Sequence, residues 1–579
     1  MSRSSIRWWV AVSVMALLAS IDPSAAPRPR ARMDKEVHAA MNKGGAAKVR
    51  VIVRTERSQR RLLRATFGRR ANHKFRREMG LMSALAMELP ASAIDALSRT
   101  PGTISVSIDA PIMGQQAVMP ITGTLLQQTL GLPASSTFTG AGVGIAIVDS
   151  GIAPSADFGN RITAFYDFTQ GGIATPAYDD FGHGTHVAGL AAGSGAMSGG
   201  TYTGVAPNAN LIGLKVLTGS GGGYTSDVIA AVEFATINRA ALGIDIMNLS
   251  LGHPPFEPAA TDPLVQAVDR ASAAGIVMIV SAGNAGMNPT TGIVGYGGIL
   301  SPGNARSAIT VGSADTNYTV ERTDDRIMPY SSRGPSWHEG YAKPDVIAPG
   351  HRLAAPAAPG STLVTSYPHL VLENGNYLRL TGTSMAAAVT SGVAALAIEA
   401  NRDALPTTRP ARTPNTRKAM FQYSAFTMHD DQAAQYDVLT QGAGALNADG
   451  ALALASIIDT SLEGANWFIA SYSPFSDIGG VMAWAQNVVW GENVVWGENV
   501  VWGENVIWGE NVVWGDNVVW GENVVWGENV VWGETVVWGE NLIWGENVVW
   551  GENVVWGENL IWGENVVWGD NLIWGESFF

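Results

Sequence analysis

Apolar and polar residues alternate over residues 48–55 (KVRVIVRT), the period-2 signature of a strand with one buried face. Residues 56–79 have helical composition and residues 81–89 read as a second strand. Residues 91–99 show helical spacing, and residues 103–108 (TISVSI) read as a last strand. Residues 34–112 are therefore expected to form a small α+β unit. Between 120 and 457 the pattern changes. Apolar runs at 144–148, 211–216, 244–249, 276–280 and 308–311 predict buried strands. Amphipathic stretches at 183–193, 226–242, 263–274 and 384–401 predict helices. Alternating strands and helices predict an α/β domain, a mainly parallel sheet with helices on both faces. Residues 458–484 read as a linker.

From Asn487 the chain becomes a hexad, Asn-Val-Val-Trp-Gly-Glu, that recurs fifteen times with only like-for-like swaps (Leu542-Ile543, Asp516, Thr535) and with Trp at every sixth position from Trp490 to Trp574. Six is even, so the face alternation of a strand is carried from one hexad to the next: Val494 and Trp496 share a face and Val495 takes the other. Gly497 and Glu498 supply the turn. So short a unit buries an apolar face only by stacking on its neighbours, so residues 485–579 are expected to be an all-β repeat domain, a β-solenoid of three hexads per coil. Which face points inward is left open, as is an antiparallel stack of short strands.

The first 26 residues read as an export signal. Arg3 and Arg7 precede an apolar stretch at 8–20, too short to span a bilayer, and the small residues Ser24, Ala25 and Ala26 follow. A secreted, extracellular protein is expected, with surface association through the tail as a further expectation. The chain has 579 residues, too many for one core, so several domains are expected. It has no cysteine, which excludes disulfides and thiol or Cys-metal chemistry. The net charge of −14 is uneven. Fifteen acids lie in the hexads, every Lys and Arg lies at or before Lys418, and residues 28–77 are strongly basic. That basic stretch reads as a solvated charged helix, and nucleic acid is not expected as a partner.

Four short motifs carry chemistry. Asp149 follows the apolar run 144–148, at a C-terminal strand end where open α/β sheets place functional groups. His183 lies in Asp180-Phe181-Gly182-His183-Gly184-Thr185-His186, where small neighbours let an imidazole face a cleft and move a proton near neutral pH. Asn284 follows an apolar strand in Ser281-Ala282-Gly283-Asn284, and its amide suits an oxyanion. Ser384 opens an Ala-rich helical stretch in Gly382-Thr383-Ser384-Met385-Ala386, where N–H groups and the positive helix end favour negative charge. Zinc at His183 and His186 lacks further ligands, and no H-E-x-x-H spacing occurs.

In the order Asp, His, Asn, Ser, these motifs resemble the subtilisin-like serine peptidases over residues 34 to about 457. The resemblance implies a self-processed, secreted serine endopeptidase, with Asp149, His183 and Ser384 as the triad and Asn284 in the oxyanion hole. It also implies that Gly221, Gly222 and Gly223 and Ser250, Leu251 and Gly252 sandwich an extended protein or peptide substrate, while Ser281, Ala282 and Gly283 line the pocket for the residue before the cut. Residues 34–112 resemble the family's propeptide, an inhibitor and folding aid, on the motifs at 91–97 and 101–106. Autocleavage is then expected between about Ile112 and Pro120. One departure stands out: Ala388 and Val389 replace the Pro and His usual after the nucleophile. The chemistry requires no cofactor; structural calcium is left open and no metal ligand is assigned. The alternative reading places the function in the tail, as a module for glycan or surface contact or for self-assembly.

Overall fold

The computed structural model describes residues 30–68, 70, 72–114, 126–132, 137–317, 319–372, 375–404 and 414–457, and the backbone of strand segments between 486 and 578. The expected export signal at 1–26 and the expected linker at 458–484 lie outside the described residues.

The N-terminal unit contains β1 (Arg32–Met33), α1 (Lys35–Lys43), β2 (Lys48–Thr55), α2 (Arg60–Phe67), β3 (Lys74–Met79), β4 (Ala84–Pro90), α3 (Ile94–Ser98) and β5 (Thr103–Ile108). Its five strands form one sheet in the order β1-β5-β2-β4-β3. Alternation in β2 serves two interfaces. Val51 and Val53 enter the unit's own core, and Ile52 enters the larger core of the next domain. On β4, Leu85 and Met87 point one way and Ala84 and Ala86 the other. The expectation of helix through 56–79 is corrected here. The helix ends at Phe67, and Lys74–Met79 is an edge strand. Pairing with β4 and the cross-strand ion pair of Arg76 with Glu88 outweigh the helical preference of Lys, Arg, Glu and Met. The basic stretch is partly neutralised, since Arg60 and Arg64 both pair with Glu78.

The chain leaves this unit as β6 (Pro111–Gly114) and enters an α/β domain. Its sheet contains β7 (Gly144–Asp149), β8 (Ile162–Asp167), β9 (Ile173–Ala174), β10 (Asn210–Lys215), β12 (Ile246–Leu249), β14 (Val277–Ser281), β15 (Ile309–Asp315), β16 (Arg326–Ile327) and β17 (Val346–Pro349). The order is β16-β15-β14-β12-β7-β10-β8-β9, with β17 paired to β15; the edge pairs with β16 and β9 are antiparallel and the rest parallel. Along β7, Ile145 and Ile147 enter one core and Ala146 and Val148 the other, so both faces are covered. The first face packs α4 (His183–Ala192) against α7 (Thr383–Ala404). The second packs α5 (Thr225–Ile237), α6 (Pro263–Ala273) and the sheet of the N-terminal unit. Helix α7 is long and apolar enough to cross a membrane, but 94% of that stretch is buried, which makes it a core helix.

In the hexad region each strand pairs parallel and in register with the strand three hexads on, Val494 beside Val512 and Trp496 beside Trp514. The strands fall into three sheets of six, five and five.

Candidate active site

Asp149 ends the fully buried strand β7, with β12 and β10 on either side. Two glycines let α4 come close to that end. Gly182, at φ +103°, turns the chain into the helix. A Cβ on Gly184 would lie 2.2 Å from the Gly151 carbonyl and 3.0 Å from Asp149 Cβ, so only glycine permits the approach. His183 then meets the carboxylate directly, with Nδ1 2.8 Å from Oδ1 and 3.0 Å from Oδ2, both residues fully buried. A carboxylate accepts, so Nδ1–H donates, and the neutral ring keeps its lone pair on Nε2. The Ser150 N–H donates 2.7 Å to Asp149 Oδ1 as well.

Ser384 sits in the first turn of α7, which packs against α4. Its hydroxyl donates to the Ser250 carbonyl at 3.1 Å, and the Ser250 hydroxyl donates to the Ser384 carbonyl at 3.0 Å. Asn284 lies beside this turn. Its Oδ1 accepts from the Thr383 N–H at 3.0 Å and the Thr383 hydroxyl at 3.1 Å. A backbone N–H only donates, so the amide orientation is determined and Nδ2 faces the other way. Nδ2 is buried without a hydrogen-bond partner among the described residues. Such a donor costs about 1–3 kcal/mol, and a group kept in that state calls for an explanation. An oxyanion that forms during reaction provides one.

The two predicted substrate segments face each other across a cleft, and a strand of the chain itself lies between them. β6 pairs antiparallel with β11 (Gly222–Tyr224) on one side and with β13 (Leu251–Gly252) on the other. A Cβ on Gly222, opposite Met113, would lie at an ordinary 3.8 Å from the Ile112 carbonyl oxygen, whereas one on Gly221 would strike the Phe181 ring at 2.3 Å and one on Gly223 the Val216 carbonyl at 2.4 Å. Ser281 ends β14, and the Ala282 N–H donates to the Val311 carbonyl while its carbonyl accepts from the Leu300 N–H. Gly283, at φ +109°, donates its N–H to the Thr383 hydroxyl at 3.2 Å.

A family model described as "Subtilase family" matches residues 140–451. This chain belongs to the subtilase family. "Serine protease AprX" of Bacillus subtilis (strain 168) is 39% identical over 321 residues, 55% of this chain and 67% of that protein. "Subtilisin DY" of Bacillus licheniformis is 35% identical over 260 residues, 45% of this chain and 77% of that protein. The crystal structure of fervidolysin from Fervidobacterium pennivorans has a TM-score of 0.56 at 21% identity, covering 75% of this chain and 64% of that one, a likeness of fold. The subtilase described here is a subtilisin-like serine peptidase.

Three residues of this subtilase's site escaped the sequence reading. Thr383 holds Asn284 and Gly283 through one N–H and one hydroxyl. Asp179 is buried and accepts from the Ser150 hydroxyl, the N–H groups of Phe181, Gly182 and Thr185, and the Thr185 hydroxyl, tying the start of α4 to the end of β7. Lys215 is aligned with Asp149 on the next strand, and its ammonium donates to the Ser150 and Leu217 carbonyls and to Asp180. Asp179 left one faint signal, an acid just ahead of a helix start. His186 is a neutral core residue. Burial pushes its pKa down to about 3, and its Nε2–H donates to the Leu353 carbonyl at 3.0 Å. Among the described residues no three His, Asp or Glu side chains are grouped to hold a metal ion. Ala388 and Val389 are buried in α7, which runs unbroken past them.

Proposed function

We propose that this chain is a secreted endopeptidase that cuts extended segments of proteins through an acyl-enzyme on Ser384, and that it is made as a self-inhibited precursor. The substrate adds a strand between Gly221–Gly223 and Ser250–Gly252, where backbone groups hold any sequence and pockets read alternate side chains. Rotation about the Ser384 Cα–Cβ bond takes the hydroxyl proton from the Ser250 carbonyl to His183 Nε2 as Oγ attacks the peptide carbonyl. Asp149 holds the Nδ1–H tautomer and stabilises the imidazolium. Asn284 Nδ2 and the N-terminal turn of α7 receive the oxyanion. As the C–N bond breaks, His183 returns the proton to the leaving amine. Water then releases the acyl group by the same steps, and no cofactor takes part.

The observation that carries this reading is the Asp149–His183 hydrogen bond beside a cleft in which β6 lies as a substrate would. It supports residues 34–112 as propeptide, with the cut C-terminal to Gly114 and no later than about Pro120. For residues 485–579 we propose a three-sided β-solenoid that serves glycan or surface contact or self-assembly, supported by the in-register pairing at every third hexad. Export through residues 1–26 and structural calcium belong to the same proposal. Mass spectrometry of the secreted protein, with and without Ser384→Ala, tests the core of it. A mature N-terminus after Gly114 in the wild type and an uncut chain in the variant are expected. A variant processed as fast as the wild type overturns self-processing, and no labelling of Ser384 by a serine-reactive phosphonate overturns the mechanism. Deleting residues 485–579 tests the tail: proteolysis is expected to persist while attachment or assembly is lost.

A further inference from the structure

The N-terminal unit turns two different faces to its surroundings. Its sheet lays Ile52, Ala84 and Ala86 on the α/β domain. Helix α2 covers the opposite face, where Leu63 and Phe67 share a core with Val51, Val53, Leu85 and Met87. The outer side of α2 therefore faces away from the peptidase, and it is basic. Residues 30–114 carry 17 Lys and Arg against 7 Asp and Glu, a net charge of +10. The acids nearest α2 are already engaged: Glu78 pairs with Arg60 and Arg64, and Glu88 with Lys48 and Arg76. Arg57, Arg61 and Arg70, on α2 and its flanks, are exposed and have no acidic partner among the described residues. Leu62, next to Arg61, is 59% exposed, so the face offers an apolar contact as well.

A dense run of opposite charge lies at the other end of the chain. Residues 485–579 hold fifteen Asp and Glu and no Lys or Arg. Each hexad acid directly precedes a strand, Glu498 before Asn499 and Asp516 before Asn517, and those strands pair parallel and in register, Asn499 beside Asn517. Paired strands lie about 4.8 Å apart, so the stack repeats like charges at a spacing that repels and gathers countercharge. The tail supplies none itself. The 27 residues from 458 to 484 reach up to about 90 Å when extended, more than the breadth of a folded body of some 430 residues, roughly 60 Å. We propose that α2 and its flanks are a docking face for the tail of the same chain, with Arg57, Arg61 and Arg70 set against the hexad acids. The contact holds the N-terminal unit to the tail whether or not the chain is cut after Gly114, and gives the tail a partner that is neither a glycan nor a second copy.

The test uses the full chain carrying Ser384→Ala, Arg57→Lys and Arg61→Lys, which keeps the charge of the face and places on it two amines that a carbodiimide joins to carboxylates at zero length. Light and isotope-labelled chains are mixed, so that links within one chain are told from links between two. At low ionic strength, links from positions 57 and 61 to hexad acids of the same chain are expected. They should fall at least tenfold in about 1 M salt, where the Debye length is about 3 Å. A second arm uses the processed protein. Deleting residues 485–579 and Arg57→Glu with Arg61→Glu should each lower the fraction of cleaved N-terminal unit retained at low salt, and combining them should lower it no further. Absence of links to the hexads, links found only between chains, or losses that add in the combined variant overturn the docking face. A wild type that stays uncut overturns self-processing instead, and the crosslinks still decide the contact.

Discussion

The proposed catalytic centre and the contact between the two folded units both bury acids, and several of those at the contact are pushed toward the neutral form. At the centre, Asp149 accepts from His183 and Ser150, and Asp179 accepts from five N–H and O–H donors. At the contact, Glu257 of the α/β domain is buried near Asp34 of the N-terminal unit and Asp262, and burial pushes its pKa up to about 8. Glu233 and Asp227 on α5 face the same unit. Glu233 accepts from the Met82 N–H and Asp227 pairs with Arg77, yet burial raises both pKa values. Acids held by a full set of donors position chemistry for good. Acids that burial pushes toward the neutral form make a contact that tightens or loosens with pH, which is what the proposed propeptide requires.

The largest expected effect lies on the catalytic side. Asp149→Asn retains the shape but loses the carboxylate that sets the imidazole tautomer, so kcat should fall by about four orders of magnitude, the scale known for triads of serine peptidases. A fall of less than tenfold in steady-state hydrolysis would erase the distinction between the two sets of acids. Next comes the oxyanion side. Asn284→Ala should lower kcat by about 10²–10³ with little change in KM. Thr383→Val, which leaves the backbone N–H to Asn284 in place and removes the hydroxyl, should cost less and act through the same step. Equal losses from the two variants would mean that Thr383 does more than position the amide.

The smallest and most graded effect concerns pH. A carboxyl whose pKa is raised in the docked state binds a proton there that the separated state has already released. Docking is then strongest below the ordinary value of about 4.5 and weakens as pH rises toward 8, where Glu257 ionises in both states. Asp34 and Asp262 lie near Glu257 as acids, Arg54 is its nearby base, and Lys35 stands over the Phe256 ring. After processing, the fraction of N-terminal unit still bound, followed by gel filtration from pH 5 to 8, should fall as pH rises. Glu257→Gln should flatten that dependence. Retention that increases with pH would reverse the sign and remove Glu257 from the account.

Much of the catalytic unit was legible in advance because its signals are local. Asp149, His183 and Ser384 each sit in a short motif of small residues next to a strong apolar run, and those runs became β7 and the start of α7 as expected. β3 was not legible: Lys, Arg, Glu and Met read as helix until pairing with β4 is known. Thr383 was invisible for a related reason, and Asp179 showed only as an acid ahead of a helix start. Thr383 matters through Asn284, about a hundred positions away, and nothing local marks that relation.

By itself the sequence determined which stretches can bury a face, where a nucleophile, a base and an acid are available, and the strict hexad period of the tail. These follow from side-chain chemistry and the 2.0 and 3.6 residue periods, which need no partner. Tertiary structure decided where each face went: Ile52 into the neighbouring domain and β6 into the cleft. Those outcomes depend on which surfaces meet, and shape and hydrogen bonding between distant segments exist only once the chain has closed on itself.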